Sequence, residues 1–181
     1  MNISQTFNFD GKVVTFTWID LKNEGDLKKY SPLTQAYAIC YNDNGEALIL
    51  DQKGNGTWTL PGGTVESGEA PVETLKREVM EEADITITDI KLLGVQKVKS
   101  DKPTHYETRY VAKIKELLPQ TIDPAKGRVH ERKFVPVSQI NDHLKWGQTG
   151  QAIFDKAKLV ILSKVLTFTL KPSLVTKVAS R

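Results

Sequence analysis

The sequence is poor in the features that mark many functional classes. A single cysteine, Cys40, stands among 181 residues, so no internal disulfide can form, and no Cys/His zinc spacing is visible. Cys40 sits in "AYAICY", a strand-like run, and reads as a buried core thiol rather than a nucleophile. No apolar run approaches the roughly 20 residues that span a bilayer. The start, "MNISQTFNFD", has neither the basic nor the apolar region of a signal peptide. An intracellular, cytoplasmic protein with no membrane association is therefore expected. Charge of one sign is also scarce. The net charge is only +3 and the basic residues are scattered, with small clusters at "KVKSDK" and "HERK". No stable nucleic-acid partner is expected on that footing. What remains is an ordinary globular composition, 39% hydrophobic and 26% charged, in a length suited to one domain or one domain with a modest extension.

Along the chain, "TFNF" and "VVTFTWI" flank Asp10-Gly11 and predict an N-terminal β-hairpin, followed by a polar connector. Residues 1–30 are thus expected to form a hairpin and connector, and 31–181 the main domain. "TQAYAICY" and "EALIL" read as strands around the "NDNG" turn, and "TWTL" as a short strand running into a Pro61-Gly62-Gly63 loop. Val72, Leu75, Val79 and Ala83 then follow the spacing of a helix with one buried stripe. "ITITDIKLLGVQKV", "HYETRYVAKI" and "RKFVPV" return to strand patterning. A last amphipathic helix is expected over 149–166, with Ile153, Ala157, Val160, Ile161 and Val165 inward; Pro172 limits its continuation, and the tail "VTKVASR" is expected to fray. The fold class is α+β, mostly strands with one central helix and one near the end.

The central helix is the anomaly. Between Glu69 and Asp84 lie six acidic residues against two basic ones, Lys76 and Arg77, in a chain that is basic as a whole. On a helical wheel, Glu78, Glu81 and Glu82 fall at about 240°, 180° and 280° from Val72, on one face beside the apolar stripe. Like charges at this spacing repel by a few tenths of a kcal/mol per pair, and Glu82, at the margin of the stripe, also loses solvation. A plain solvated acidic face would carry compensating lysines, which are missing. A glycine loop, through which backbone carbonyls can approach a ligand, precedes the helix. Carboxylates with a backbone carbonyl form a hard-oxygen set suited to Mg²⁺ or Mn²⁺. A divalent-metal site explains the acidic face best.

The same stretch resembles the Nudix box, G-x5-E-x7-R-E-U-x-E-E-x-G-U with U aliphatic. Gly63, Glu69, Arg77, Glu78, Val79, Glu81, Glu82 and Ile85 fall on the pattern in register, after a typical "WTLPGG". One position departs: Asp84 stands where the family has glycine. A left-handed helix exit is expected there, and Asp84→Gly is expected to relieve strain by roughly 0.5–1 kcal/mol.

The resemblance implies a Nudix-type α/β/α sandwich with a mixed β-sheet, to which the N-terminal β-hairpin is an extension. It also implies hydrolysis of a diphosphate bond in a nucleoside diphosphate derivative, with Mg²⁺ (or Mn²⁺) as cofactor. By position, Glu78, Glu81 and Glu82 are the implied metal ligands, with the Gly63 carbonyl a further one. Arg77 and Glu69 are an implied structural pair, although Glu69 also reads as an ordinary first-turn residue. The general base is Glu78 by first choice and Glu131, in "GRVHERKFVPV", as runner-up; His130 beside it is a candidate substrate contact. The expected partner is a small-molecule nucleotide. The hairpin either offers an edge to a second subunit, giving a homodimer, or folds back on its own sheet. Two alternatives remain: a catalytically silent nucleotide-binding or regulatory module on the same fold, and an isoprenoid diphosphate isomerase, for which Cys40 lacks the expected surroundings.

Overall fold

Two antiparallel strands, β1 (Asn2–Phe9) and β2 (Lys12–Asp20), form the N-terminal hairpin. Its turn residues Asp10 and Gly11 both have positive φ, 50° and 85°, as a tight hairpin turn requires. The structure, a computed structural model, describes residues 2–169, with side chains through residue 164. Val165, Pro172 and the tail expected to fray lie outside those described residues.

Seven further strands complete one sheet: β3 (Leu33–Tyr41), β4 (Glu46–Asp51), β5 (Trp58–Thr59), β6 (Gly62–Thr64), β7 (Ile85–Lys99), β8 (His105–Leu117) and β9 (Glu131–Pro136). The order is β1-β2-β7-β8-β3-β4-β5, with β6 added to β3 and β9 to β4. β3 and β8 run parallel, whereas β7 and β8 are antiparallel, so the sheet is mixed. Helix α1 (Pro71–Ala83) covers one face; α2 (Ile140–Leu144) and α3 (Gly147–Thr169) cover the other. This is an α/β/α sandwich. Alternation along β3 builds both cores: Ile39 and Tyr41 pack with Phe154 and Ile161, while Ala36, Ala38 and Cys40 pack with Leu75, Val79 and Ala83. Cys40 is the core thiol expected, fully buried, and burial pushes its ionisation well up.

The hairpin folds back on its own sheet. β2 pairs with β7 over residues 15–20, which leaves β1 as the outer edge. The Gln5 side-chain oxygen accepts the Gln148 N–H at 2.6 Å, tying β1 to the start of α3.

Four features depart from the sequence reading. Gly62–Thr64, expected as loop, is a short strand antiparallel to β3; without side chains its glycines come close enough to pair. The five-residue α2 and the 3₁₀ turn Glu24–Lys29 were not predicted, being too short for a periodic signal. The last helix begins two residues earlier than expected and extends to Thr169, with Ile153, Ala157 and Ile161 buried as predicted. Among the described residues no helix is long and apolar enough to cross a membrane.

Candidate active site

The site is built where β6 meets α1. Gly62 has φ 139°, and a Cβ there would collide with the Ala36 carbonyl oxygen on β3. A Cβ on Gly63 would fall 2.5 Å from the Glu78 carboxyl group. The two glycines thus let the loop lie against the sheet and let Glu78 lie against the loop. Helix α1 then opens with Pro71 in its first turn, and the Glu73 carboxylate accepts the Ala70 N–H at 3.0 Å.

Arg77 is the hub that locks loop to helix. Its guanidinium donates through Nε and Nη2 to the two oxygens of Glu69, at 3.1 and 3.0 Å, and through Nη2 to the Thr64 carbonyl at 3.1 Å. From Nη1 it reaches Glu78 at 2.8 Å and Glu81 at 3.4 Å. The Glu69–Arg77 pair expected from the resemblance is therefore present in bidentate form. Arg77, with help from the Thr74 hydroxyl, holds the Glu69 carboxyl down at about 2. A depressed carboxyl contributes stability above its unfolded value, near 4.3, and loses it as pH falls toward 2. Acid unfolding of the parent should contain a component in that window that Glu69→Gln lacks; superimposable pH–stability curves would contradict the pairing.

The remaining carboxylates are held under strain of charge and burial. Glu82 is buried on α1. Its oxygens accept the Gln52 amide at 2.5 Å and the Gly62 N–H at 3.2 Å. Burial raises its carboxyl to about 7; the Gly62 N–H opposes the shift and the charge of Glu78 adds to it. Burial likewise raises Glu78, against the pull of Arg77 and with the push of Glu81. Gln52 is placed by Asp51, whose carboxylate collects the N–H groups of Lys53, Gly54, Asn55 and Gly56 at 2.6–3.3 Å. Sequence reasoning missed both residues, although an aspartate ahead of "QKGNG" is a turn signal.

A cavity of about 340 Å³ joins these groups, lined by Gly63, Arg77, Glu78, Glu81 and Glu82 and also by Asp123 and Lys126. The last two come from the loop between β8 and β9 and were not anticipated. Asp123 is clamped by His130 Nε2 at 2.7 Å and by the N–H groups of Ala125 and Lys126 at 2.7 and 3.1 Å. Burial works to raise its carboxyl, but these bonds together hold it below the ordinary value. His130 is thereby fixed as an internal clamp of the loop, buried and outside the cavity lining. Glu131 is exposed at the start of β9, also outside that lining. Trp58 is half-buried against the core and Phe134 against the α1 side.

The donor set fits a divalent cation. Three partly or wholly buried carboxylates crowd together, two of them raised by burial and by mutual charge, which is the condition a cation relieves. In the geometry described, Arg77 and Gln52 hold these oxygens, and among the described residues no three acidic, His or Cys groups are arranged as a ready ligand cage.

Sheet, helical layers and a glycine turn facing an acidic helix define the class: an α/β/α sandwich with its centre at one strand–loop–helix junction. The family model described as NUDIX domain matches residues 32–156, and the chain belongs to that family. Over 62 residues it is 39% identical to 8-oxo-dGDP phosphatase NUDT18 of Mus musculus, covering 33% of this chain and 19% of that protein. Over 56 residues it is 39% identical to an RNA pyrophosphohydrolase of Halorhodospira halophila, covering 31% of each. The chain thus spans only about a fifth to a third of the length of these curated relatives. Among solved structures, the Bacillus subtilis pyrophosphohydrolase BsRppH superposes with a TM-score of 0.56 at 20% identity, covering 93% of this chain and 99% of that one. A C. elegans Ap4A hydrolase gives 0.55 at 18% identity, covering 73% and 99%. Both likenesses are of fold.

Proposed function

We propose that this protein is a divalent-metal-dependent hydrolase that cleaves a diphosphate bond in a nucleoside diphosphate derivative. The observation that carries this is the convergence of Glu78, Glu81, Glu82 and Gly63 on one cavity, with two of the carboxyls raised by burial and crowding. Glu78, Glu81, Glu82 and the Gly63 carbonyl are the groups to hold the ion, Mg²⁺ by preference and Mn²⁺ as substitute. When bound, the ion supplies charge neutralisation for the phosphate oxygens and acidifies water.

The chain's own residues do the rest. Glu78 Oε1 is held by Arg77, and Oε2, to which no described residue donates a hydrogen bond, is the oxygen to accept the proton of the attacking water. Arg77 orients Glu78 and Glu81 while fastening the loop through Glu69, so it acts as a positioning residue. Lys126 lines the same cavity and adds positive charge for a phosphate group. Glu131 is the reserve base only if its strand edge approaches the substrate. The lone buried Cys40 suits a reducing, cytoplasmic setting.

The test is a panel of nucleoside diphosphate derivatives assayed with Mg²⁺ and with product identification. Exhaustive EDTA treatment should abolish turnover, and Mg²⁺ should restore it. Full activity without metal would overturn the metal assignment, and metal binding with no turnover on any substrate would favour the silent module.

A further inference from the structure

A second cavity, of about 350 Å³, lies beside the carboxylate site and shares Gln35 and Tyr37 with it. Its walls are aromatic. Phe7, Phe9 and Phe16 come from the N-terminal hairpin, outside the family match, and Trp146 comes from the turn before α3. Phe7 stacks on Phe9 at 5.8 Å and meets Phe16 edge-on at 5.9 Å, so the hairpin presents a preformed aromatic surface.

Its polar side is unusual for an apolar cavity. Glu107 and Arg109 are two residues apart on β8 and so share one face of the sheet. Arg109 is 2% exposed, its guanidinium lying over Tyr37 (4.9 Å) and Trp146 (5.3 Å). Nη2 donates to Glu107 Oε2 at 2.5 Å and to Gln96 Oε1, and Nη1 donates to the Thr108 carbonyl at 3.2 Å. Nε, though buried, has no partner among the described residues. A buried guanidinium donor without an acceptor is costly. Among the described residues none donates a hydrogen bond to Glu107 Oε1, and His105 Nε2 stands 3.9 Å from it. The Nε atom is covered by protein and does not face the cavity, which therefore presents an under-used carboxylate acceptor, held in place by Arg109, between aromatic walls.

We propose that this cavity binds the base of the nucleotide, and that Glu107, positioned by Arg109, selects a guanine-type edge. Guanine presents an imino and an amino donor side by side, which complements the two oxygens of a carboxylate; adenine and uracil each offer a carboxylate only one donor. The hairpin supplies the stacking wall, while Trp146, stacked on Phe154 and covered by the Arg109 guanidinium, closes the far side of the cavity. Glu107 pairs with Gln35 on β3, and Gln35 pairs with Thr64 on β6. Two strand spacings, about 10 Å, thus separate the base-reading group from the glycine turn. That is a nucleoside's reach. The inference rests on the hydrolase reading for its substrate, but the cavity can be tested by binding alone.

The experiment titrates the full chain in EDTA with GMP, AMP, UMP and inorganic pyrophosphate, followed by tryptophan fluorescence. GMP should bind tightest, and Phe7→Ala should weaken it by about tenfold through lost stacking. Phe9→Ala, at an exposed position that does not threaten folding, should weaken it in the same direction. Glu107→Gln should weaken GMP by about tenfold and leave UMP nearly unchanged. Melting temperatures identify any variant that has unfolded. Equal affinity for the three nucleotides, or parent-like GMP binding in both Phe7→Ala and Phe9→Ala, would overturn the proposal. Glu82→Gln separates the two readings. If it abolishes turnover and keeps GMP binding, both stand; a parent inactive on every substrate that still binds GMP selectively removes only the hydrolase.

Discussion

Replacing Glu82 with glutamine should lower kcat on the order of a hundredfold or more while the fold is kept. Loss of a residue that merely supports a metal ligand costs about 10–100-fold, and Glu82 is assigned as a ligand itself. The substitution preserves shape and the acceptor oxygen that takes the Gly62 N–H. Its effect on stability runs the other way. The Glu82 carboxyl titrates near 4.3 when unfolded and at about 7 in the folded protein. Between these values the folded state holds more protons than the unfolded one, so stability falls as pH rises through the window. The penalty is complete above pH 7, on the order of 3 kcal/mol. In EDTA, Glu82→Gln should therefore melt above the parent at pH 8 and together with it at pH 4. Mg²⁺ should then stabilise the parent more than the variant. A Tm difference that ignores both pH and Mg²⁺ would place the ligands elsewhere.

Asp84→Gly should destabilise the protein by about 1–2 kcal/mol, reversing the sign expected from the sequence. The backbone is as expected: Asp84 caps α1 in the left-handed region at φ 47°, ψ 48°. Glycine would relieve that conformation by about 0.5–1 kcal/mol. The side chain decides otherwise. It is buried, and its two oxygens accept the Thr121 N–H at 3.0 Å and the Thr121 hydroxyl at 2.5 Å. Removing a buried acceptor from two donors costs about 1–3 kcal/mol. The unfavourable anion at the helix C-terminus is offset as well, because Arg132 donates to the Ala83 carbonyl at 2.9 Å and to Leu118 at 3.1 Å. Denaturant unfolding at pH 7 measures the difference. Asp84→Asn, which tolerates the same backbone and keeps one acceptor, should fall between the two; a glycine variant as stable as the parent would mean that the Thr121 bonds contribute nothing.

The Nudix-box positions were legible because their spacing is local. One helix of period 3.6 carries Arg77, Glu78, Glu81 and Glu82, so their shared face follows from the order of residues alone. The strands were legible for the same reason, since alternation in "AYAICY" or "KFVPV" is a property of adjacent residues. Short elements such as α2 and Gly62–Thr64 left no such trace, because fewer than two turns or a three-residue pairing has no measurable period.

By itself, then, the sequence determined the α+β class, the hairpin turn and the acidic helix, while the Glu69–Arg77 pair was only implied by the resemblance to the Nudix box and was decided by the structure. Only the tertiary structure decided which distant residues complete the site. Gln52 reaches Glu82 across 30 positions and Thr121 reaches Asp84 across 37, while Asp123 and Lys126 enter the cavity from a loop that no local pattern marks. The same holds for Phe7 and Arg109, which meet at one cavity because β2 pairs with β7 and β7 with β8. Long-range pairing is set by the burial of a whole sheet face between two helical layers. That is a property of the assembled surfaces, and no short window of sequence contains it.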